Sequence, residues 1–311
     1  MTLDGVLSQA DSLPGHSLAA TIGMFDGVHL GHATVLAELR RKAAASGLKT
    51  AVVTFRDHPQ NVLGKAQQPL KLIMPVEERV KTIRAMGIDY VILLDFTRGL
   101  SMLDSTRFMT WLHQHYGVDT LMVGYDHHFG HNRQETFADY VANGVGCGVQ
   151  VLRAPEYRGE YAPVSSSIIR RLIASGKVDD ATNCLGHGYA VSGIVSHGFK
   201  NGRQIGFPTA NLGHIDPAVL LPHNGAYAAR VTVLDKVWHA MVNVGRRPTL
   251  DNGNQLSVEA NIFDFDHDIY GEPMTVEFVR FLRLEIKLGS VEELRRQLET
   301  DRETARQILE R

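Results

Sequence analysis

Two histidines three residues apart, His29 and His32, stand in the stretch Thr-Ile-Gly-Met-Phe-Asp-Gly-Val-His-Leu-Gly-His that runs from Thr21 to His32. Gly23, Gly27 and Gly31 surround them, and glycines let a backbone pass close to a ligand and take dihedrals that other residues resist. The apolar run Leu18-Ala19-Ala20 precedes the stretch and Ala33 to Leu39 follows it, a context of strand, turn and helix. A helix start offers unsatisfied N–H groups and a positive dipole end, which suits a phosphate. Imidazoles at that end can donate hydrogen bonds where charge develops on a phosphate, usually the largest catalytic effect. A purely structural turn needs the glycines and has no use for the histidines.

A second set of chemical residues lies far downstream, in Gly202-Arg203-Gln204-Ile205-Gly206-Phe207-Pro208-Thr209-Ala210-Asn211. Thr209 and Asn211 are two apart in an extended stretch, so their side chains leave one face. A hydroxyl and an amide oxygen there can serve a hard cation such as Mg²⁺, with phosphates and water completing its shell. Gly202 and Gly206 let backbone approach those phosphates. Glu259 sits in the alternating run Val258 to Phe263, on the face opposite Val258, Ala260 and Ile262. A solvated strand residue is the ordinary reading of such a carboxylate.

A third cluster, Ser165-Ser166-Ser167-Ile168-Ile169-Arg170, opens a helix predicted to run to about Ser175. Serine at a helix start is common for capping alone. Helix-end amides, the hydroxyls of Ser166 and Ser167 and the guanidinium of Arg170 together suit a polyphosphate. His127, His128 and His131 invite a metal reading, but no helical carboxylate–His pair or cysteine accompanies them. Solvated loop histidines are the stronger reading.

The elements that must position these residues change character along the chain. Ala51–Phe55, Tyr90–Leu94 and Thr120–Gly124 read as buried strands, and Val76–Met86 and Thr106–Tyr116 as helices stopped by Gly87 and Gly117. Such alternation predicts a parallel, doubly wound sheet with ligands beyond the strands' carboxyl ends. His29, Phe55–Pro59 and Tyr125-Asp126 all follow strand ends, so one cleft can collect them. Beyond Leu185 the pattern becomes closely spaced alternating strands (189–195, 228–233, 238–244, 257–263 and 274–281), which predicts a small antiparallel barrel. Ser290-Val291-Glu292-Glu293 is a capping box that opens a terminal helix, with Glu293 reaching back. The expected division is 1–184 and 185–311.

At 311 residues the chain is long for one core, so two domains are expected. Lys plus Arg (32) nearly balances Asp plus Glu (34), which argues against nucleic acid as a partner. Cys147 and Cys184 have no paired spacing, which disfavours a disulfide framework or a zinc knuckle. Residues 1–11 are polar and acidic, unlike a signal peptide, and no apolar run approaches the ~18 residues of a membrane span. A cytoplasmic enzyme with small-molecule partners and no membrane attachment is the expectation.

The His29-Leu30-Gly31-His32 pattern on a first strand-to-helix turn resembles the nucleotidylyltransferase superfamily. Gly23-Met24-Phe25-Asp26-Gly27-Val28 before it narrows the resemblance to the bifunctional riboflavin kinase/FMN adenylyltransferase (FAD synthetase) family. Asp126, Phe129-Gly130 and Arg133 resemble the second signature of that family, and Ser166-Ser167-x-x-Arg170 its triphosphate-binding turn, with Ser167 where threonine is usual. Asp57 departs from the family, which usually has proline there. Pro208-Thr209-Ala210-Asn211 with the upstream Gly202-Arg203-x-x-Gly206-Phe207 resembles the riboflavin kinase signature. The resemblance covers residues from about Leu18 to Ile308 and implies an N-terminal Rossmann-like adenylyltransferase and a C-terminal barrel kinase.

It further implies that ATP phosphorylates riboflavin to FMN and that a second ATP adenylylates FMN to FAD, releasing pyrophosphate. His29 and His32 would then stabilise the α-phosphate, with Gly23, Phe25, Asp26, Gly31, Asp126, Ser166, Ser167 and Arg170 as nucleotide- and phosphate-binding residues. In the kinase, Gly202 and Gly206 would bind phosphate, Thr209 and Asn211 Mg²⁺, and Glu259 would act as general base. Asn261 stands where the family often has His and receives no role. Two other readings remain at this point: a nucleotidylyltransferase for another phosphorylated acceptor, and a flavin-binding regulator without catalysis.

Overall fold

The computed structural model describes residues 5–9, 11–13, 15–64, 68–125, 129–130, 134–197, 205–248, 254–286 and 289–310, without the side chains of 246–248 and 254–256. The chain divides into two compact units, Met1–Ser165 and Ser166–Arg311.

The first unit is built on a six-stranded parallel sheet. Its strands are β1 (Val6–Ser8), β2 (Leu18–Ile22), β3 (Lys49–Phe55), β4 (Tyr90–Leu94), β5 (Val118–Val123) and β6 (Gln150–Arg153). They lie in the order β1-β4-β3-β2-β5-β6. The chain winds outward from β2 in one direction through β3 and β4, then returns to β5 and β6 on the other side. That reversal between β2 and β5 is the topological switch point at which doubly wound folds bind ligands. Short β1, inside the polar N-terminal stretch, escaped the sequence reading, as did β6.

Both faces of the sheet are covered, which is why its strands are apolar without alternation. Leu18, Ala20 and Ile22 point to one face with Val53, Leu121 and helix α5 (Ser105–Tyr116). Ala19, Val52, Val91 and Met122 point to the other, under α1 (Leu30–Ala45) and α3 (Val76–Ala85). The short helices α2 (Pro59–Val62) and α4 (Arg98–Ser101) and the longer α6 (Phe137–Cys147) complete the unit. Gly117 ends α5 with φ of 70°, in the left-handed conformation that glycine adopts at helix ends.

The second unit is a closed antiparallel barrel in the order β10-β11-β8-β7-β12-β9. The strands are β7 (Tyr189–Ser196), β8 (Ala210–Gly213), β9 (Gly225–Val233), β10 (Lys236–Pro248), β11 (Asn254–Ile262) and β12 (Pro273–Arg283). Closure removes the unpaired edges that a six-stranded sheet would otherwise present. The terminal helix α9 (Val291–Leu309) lies over the outside of the barrel, where Ala305 and Leu309 pack with Phe207, Ala228, Met241 and Phe263. Asp301, buried, receives Nε and Nη2 of Arg283 at 3.0 and 2.6 Å and Nε2 of Gln297 at 2.9 Å.

Two details differ from expectation. Ser290 caps α9, accepting the Glu293 N–H at 3.1 Å, but the Glu293 carboxylate reaches the N–H of Gly289 instead of closing a box on Ser290. Helices α7 (Ser166–Ala174) and α8 (Val178–Leu185) belong to the same compact unit as the barrel, so the units divide upstream of 184/185. The physical reason is packing: α8 lies against β7 and β12, Asp179 pairs with Arg280 at 3.5 Å, and His223 donates its N–H to the Ile173 carbonyl at 3.3 Å.

Candidate active site

The turn after β2 is strained and tightly pinned. Phe25, Gly27 and Val28 have φ of 51°, 80° and 39°. A β-branched residue at positive φ is an outlier that the surroundings must enforce, and such strain gathers at functional sites. The enforcing bonds are visible. Gly23 donates its N–H to Val53 O at 3.0 Å, and the Thr54 hydroxyl donates to Met24 O at 3.1 Å. Asp26, buried, accepts the N–H groups of Ile73 and Met74 at 3.0 and 3.2 Å. Its carboxylate ties the turn to the segment that opens α3.

His29 is the N-cap of α1, and its side chain accepts the His32 N–H through Nδ1 at 3.3 Å. An accepting Nδ1 is unprotonated, so the neutral ring carries its hydrogen on Nε2. Gly31 makes this possible: a Cβ there would meet His29 Cε1 and Nδ1 at 3.1 Å, tighter than ordinary contact. Phe25 tilts over the His32 ring at 4.9 Å between centroids. The capped helix end, two imidazoles and the glycine that admits them thus form one construction.

Arg79 was not found from the sequence, where it reads as one more charge on a helix. It is fully buried, donates from Nη2 to the carbonyl of Phe55 at the end of β3, and no described residue bonds its Nε and Nη1. Burial pulls its pKa down while the carboxylates of Asp26, Glu77 and Asp57 push it up. In the segment after β5, Phe129 is held by Tyr140, whose hydroxyl contacts both its N–H and its carbonyl. Asp126 and the His127, His128 and His131 cluster lie outside the described residues. Among the described residues no group of three or more His, Cys, Asp or Glu is arranged to hold a metal ion. Ser166, Ser167 and Arg170 occupy the first turn and a half of α7, with Ser167 exposed and Arg170 half-buried.

In the barrel, β8 and β11 run antiparallel with Asn211 opposite Glu259 and Ala210 opposite Ala260. Opposed residues share a face and neighbours along a strand alternate. Asn211 and Glu259 therefore occupy one face, and Ala210, Leu212, Val258 and Ala260 the other. Across β10, Asn243 stands opposite Glu259, and its amide donates to Glu285 at 3.3 Å. The row Asn211–Glu259–Asn243 presents amide and carboxylate oxygens side by side, with the Thr209 hydroxyl just before β8. Oxygen donors of this kind fit Mg²⁺, which takes few protein ligands and leaves the rest of its shell to phosphate and water. Gly206 has φ of 84° and is exposed. Gly202 lies outside the described residues. A cavity of about 350 Å³, bordered by Pro208, Thr209, Ala210, Ala260, Phe265 and Tyr270, opens on the other face of these strands, that of Ala210 and Ala260.

The family model for FAD synthetase matches residues 14–168, and that for riboflavin kinase matches residues 185–309. The chain is 34% identical over 289 residues to the bifunctional riboflavin kinase/FMN adenylyltransferase of Bacillus subtilis (strain 168), covering 91% of this chain and 90% of that one. The Haemophilus influenzae enzyme of that description is 37% identical and covers 93% of each chain. The Escherichia coli (strain K12) enzyme is 32% identical over 97% of this chain and 95% of its own. Among solved structures, a Streptococcus pneumoniae protein described as a macrolide-efflux protein superposes with a TM-score of 0.85 at 29% identity, covering 97% of this chain and 98% of that one. No described helix here is long and apolar enough to cross a membrane. Matches over both halves set aside the readings in which the barrel is a spare domain or catalysis is lost.

Proposed function

The chain belongs to the bifunctional riboflavin kinase/FMN adenylyltransferase family, and we propose that its two ATP-dependent reactions are carried by two separate sets of residues. It makes FMN from riboflavin and FAD from FMN. In our reading the kinase residues lie in 185–311 and the adenylyltransferase residues in 1–184.

In the kinase step Glu259 takes the proton of the ribityl 5′-hydroxyl while that oxygen attacks the γ-phosphorus of ATP and ADP leaves. Thr209 and Asn211 would hold Mg²⁺, which would supply charge neutralisation on the phosphate oxygens, and Gly202 and Gly206 shape the loop that approaches the phosphates. The observation that carries the reading is the register that sets Asn211 directly opposite Glu259. A carboxylate base and an amide oxygen side by side put proton removal and phosphate charge within one small area.

In the second step a phosphate oxygen of FMN attacks the α-phosphorus of ATP and pyrophosphate leaves. This chemistry asks for positioning and charge stabilisation more than covalent help. His29 and His32 stabilise the α-phosphate, His29 donating from Nε2 to its oxygens, with the His32 ring stacked on it and the α1 amides beside them. Gly23, Phe25, Asp26 and Gly31 form the turn that binds nucleotide and phosphate, and Asp26 also ties that turn to the segment before α3. Ser166, Ser167 and Arg170 bind triphosphate oxygens, and Asp126 contacts nucleotide. The near balance of charge supports small molecules as partners over nucleic acid, and dependence on ATP supports a cytoplasmic location. Incubation with riboflavin, ATP and Mg²⁺ followed by chromatography is the direct test. FMN and FAD should both accumulate in the parent, and FMN alone in His29→Ala. Loss of both products in that variant would refute the separation of the two residue sets.

A further inference from the structure

Asn261, which the sequence left without a role, has one in the structure. It lies on β11 two residues beyond Glu259, is 7% exposed, and donates from Nδ2 to the carbonyl of Pro208 at 2.7 Å. Its register neighbour on β10 is Met241, which is packed in the cluster beneath α9. Continuing the β8–β11 pairing outward from Asn211 and Glu259 sets Asn261 level with Thr209. Strand β8, however, begins only at Ala210, so the ladder itself does not hold Thr209.

Thr209 therefore depends on what fixes the residues before it. Pro208 has a locked φ and no N–H to offer the sheet. Phe207 is buried against Met241 and Phe263, with the Arg302 guanidinium of α9 lying 5.1 Å over its ring. Among the described residues none comes within 4 Å of where a Cβ of Gly206 would stand. The Asn261 bond falls on the one carbonyl that orients the peptide leading into Thr209. It extends the restraint of the sheet one step past the last ladder residue.

We propose that Asn261 is a positioning residue of the kinase: by holding the Pro208 carbonyl it sets the Thr209 hydroxyl in line with Asn211 and Glu259. The proposal rests on the assignment of Thr209 and Asn211 to the cation and the ATP phosphates. A bond that served only the fold would cost stability and leave the Mg²⁺ and ATP dependence of the kinase untouched.

The test uses the full chain with Asn261→Leu, close in size but without a donor, and Asn261→His, whose ring N–H can reach a carbonyl. Kinase rate is measured against Mg²⁺ and ATP, with adenylylation of added FMN as the internal control and circular dichroism for folding. Asn211→Ala is measured alongside. Asn261→Leu should raise the half-saturating Mg²⁺ and the KM for ATP by about tenfold, since misplacement by ~1 Å can cost up to about 10²-fold. Asn261→His should restore both to within about threefold of the parent, and FMN adenylylation should be unchanged in both. Unaltered Mg²⁺ and ATP dependence in a folded Asn261→Leu, with Asn211→Ala shifted, would overturn this proposal alone. If Asn211→Ala also leaves the Mg²⁺ titration unchanged, the cation assignment fails and the proposal falls with it. Loss of cooperative unfolding of the barrel in Asn261→Leu would assign the bond to the fold and equally overturn it.

Discussion

The imidazoles of His29 and His32 lie stacked, their centroids 3.6 Å apart with 18° between the ring planes. The same two residues are joined by the N-cap bond from the His32 N–H to His29 Nδ1. In the proposed mechanism capping and catalysis share one side chain, and a variant can separate them. Asn is as good an N-cap as any residue, but it has no group at the place of Nε2. His29→Asn should keep the thermal stability of the first unit and lower FMN adenylylation by about 10²–10³, the usual effect of removing one preorganised donor. His29→Ala should in addition lose about 1 kcal/mol of stability. Calorimetry beside product chromatography reads both, and equal activity in His29→Asn and the parent would exclude the donor role.

Glu259→Gln keeps the shape of the row and removes the proposed base. Riboflavin phosphorylation should fall by about 10²–10⁴ with adenylylation of added FMN spared. A loss below about threefold would mean that the hydroxyl needs no base or finds another.

Asn211→Ala removes an amide oxygen from a buried position opposite that carboxylate. Half-maximal kinase activity should then require several-fold more Mg²⁺. Chelator titration of parent and variant at fixed ATP checks this, and superimposable curves would leave Asn211 a structural residue.

Asp301 is the buried anchor of α9 on the barrel, and its Arg283 partner is only partly exposed. Removal of one member of such a pair strands the other, at a cost of up to about 3–5 kcal/mol when both are buried. Asp301→Ala should destabilise the barrel by roughly 2–3 kcal/mol, because Arg283 can still reach water. Urea unfolding with unchanged slope would report it.

Helix α8 buries Val178, Ala181 and Leu185 within the barrel unit. A piece that begins at Ser166 should fold cooperatively and make FMN but no FAD. A piece that begins at Leu185 lacks that cover and should be less stable by about 3 kcal/mol or more, at roughly 1.5–3 kcal/mol for each large apolar side chain buried. Equal melting curves for the two pieces would show that α8 adds nothing.

Much of this protein was legible in one dimension because its signals are local. Apolar runs without alternation mark strands buried on both faces, and β3, β4 and β5 fall where those runs stand. Gly117 marks a helix end because only the left-handed conformation closes it there. The His29–His32 turn is legible because glycine and histidine are needed at fixed offsets within one strand-to-helix passage. Sequence alone also separated the two architectures, since hydrophobic period changes from one half to the other.

Tertiary structure decided what depends on partners distant in the chain. That Asp26 also accepts the N–H groups of Ile73 and Met74, 47 and 48 residues on, is visible only in the folded chain. Arg79 reads as a surface charge until the sheet closes over it. Helix α8 joins the barrel because it meets β7 and β12, and α7 packs on α8, which no pattern within residues 166–185 announces. Asn261 acquires its partner only when β11 is laid beside the segment entering β8, 53 residues earlier in the chain. A side chain's type and spacing limit what it can do. Which backbone group it meets is set by strand register and sheet closure, and these are properties of the folded chain.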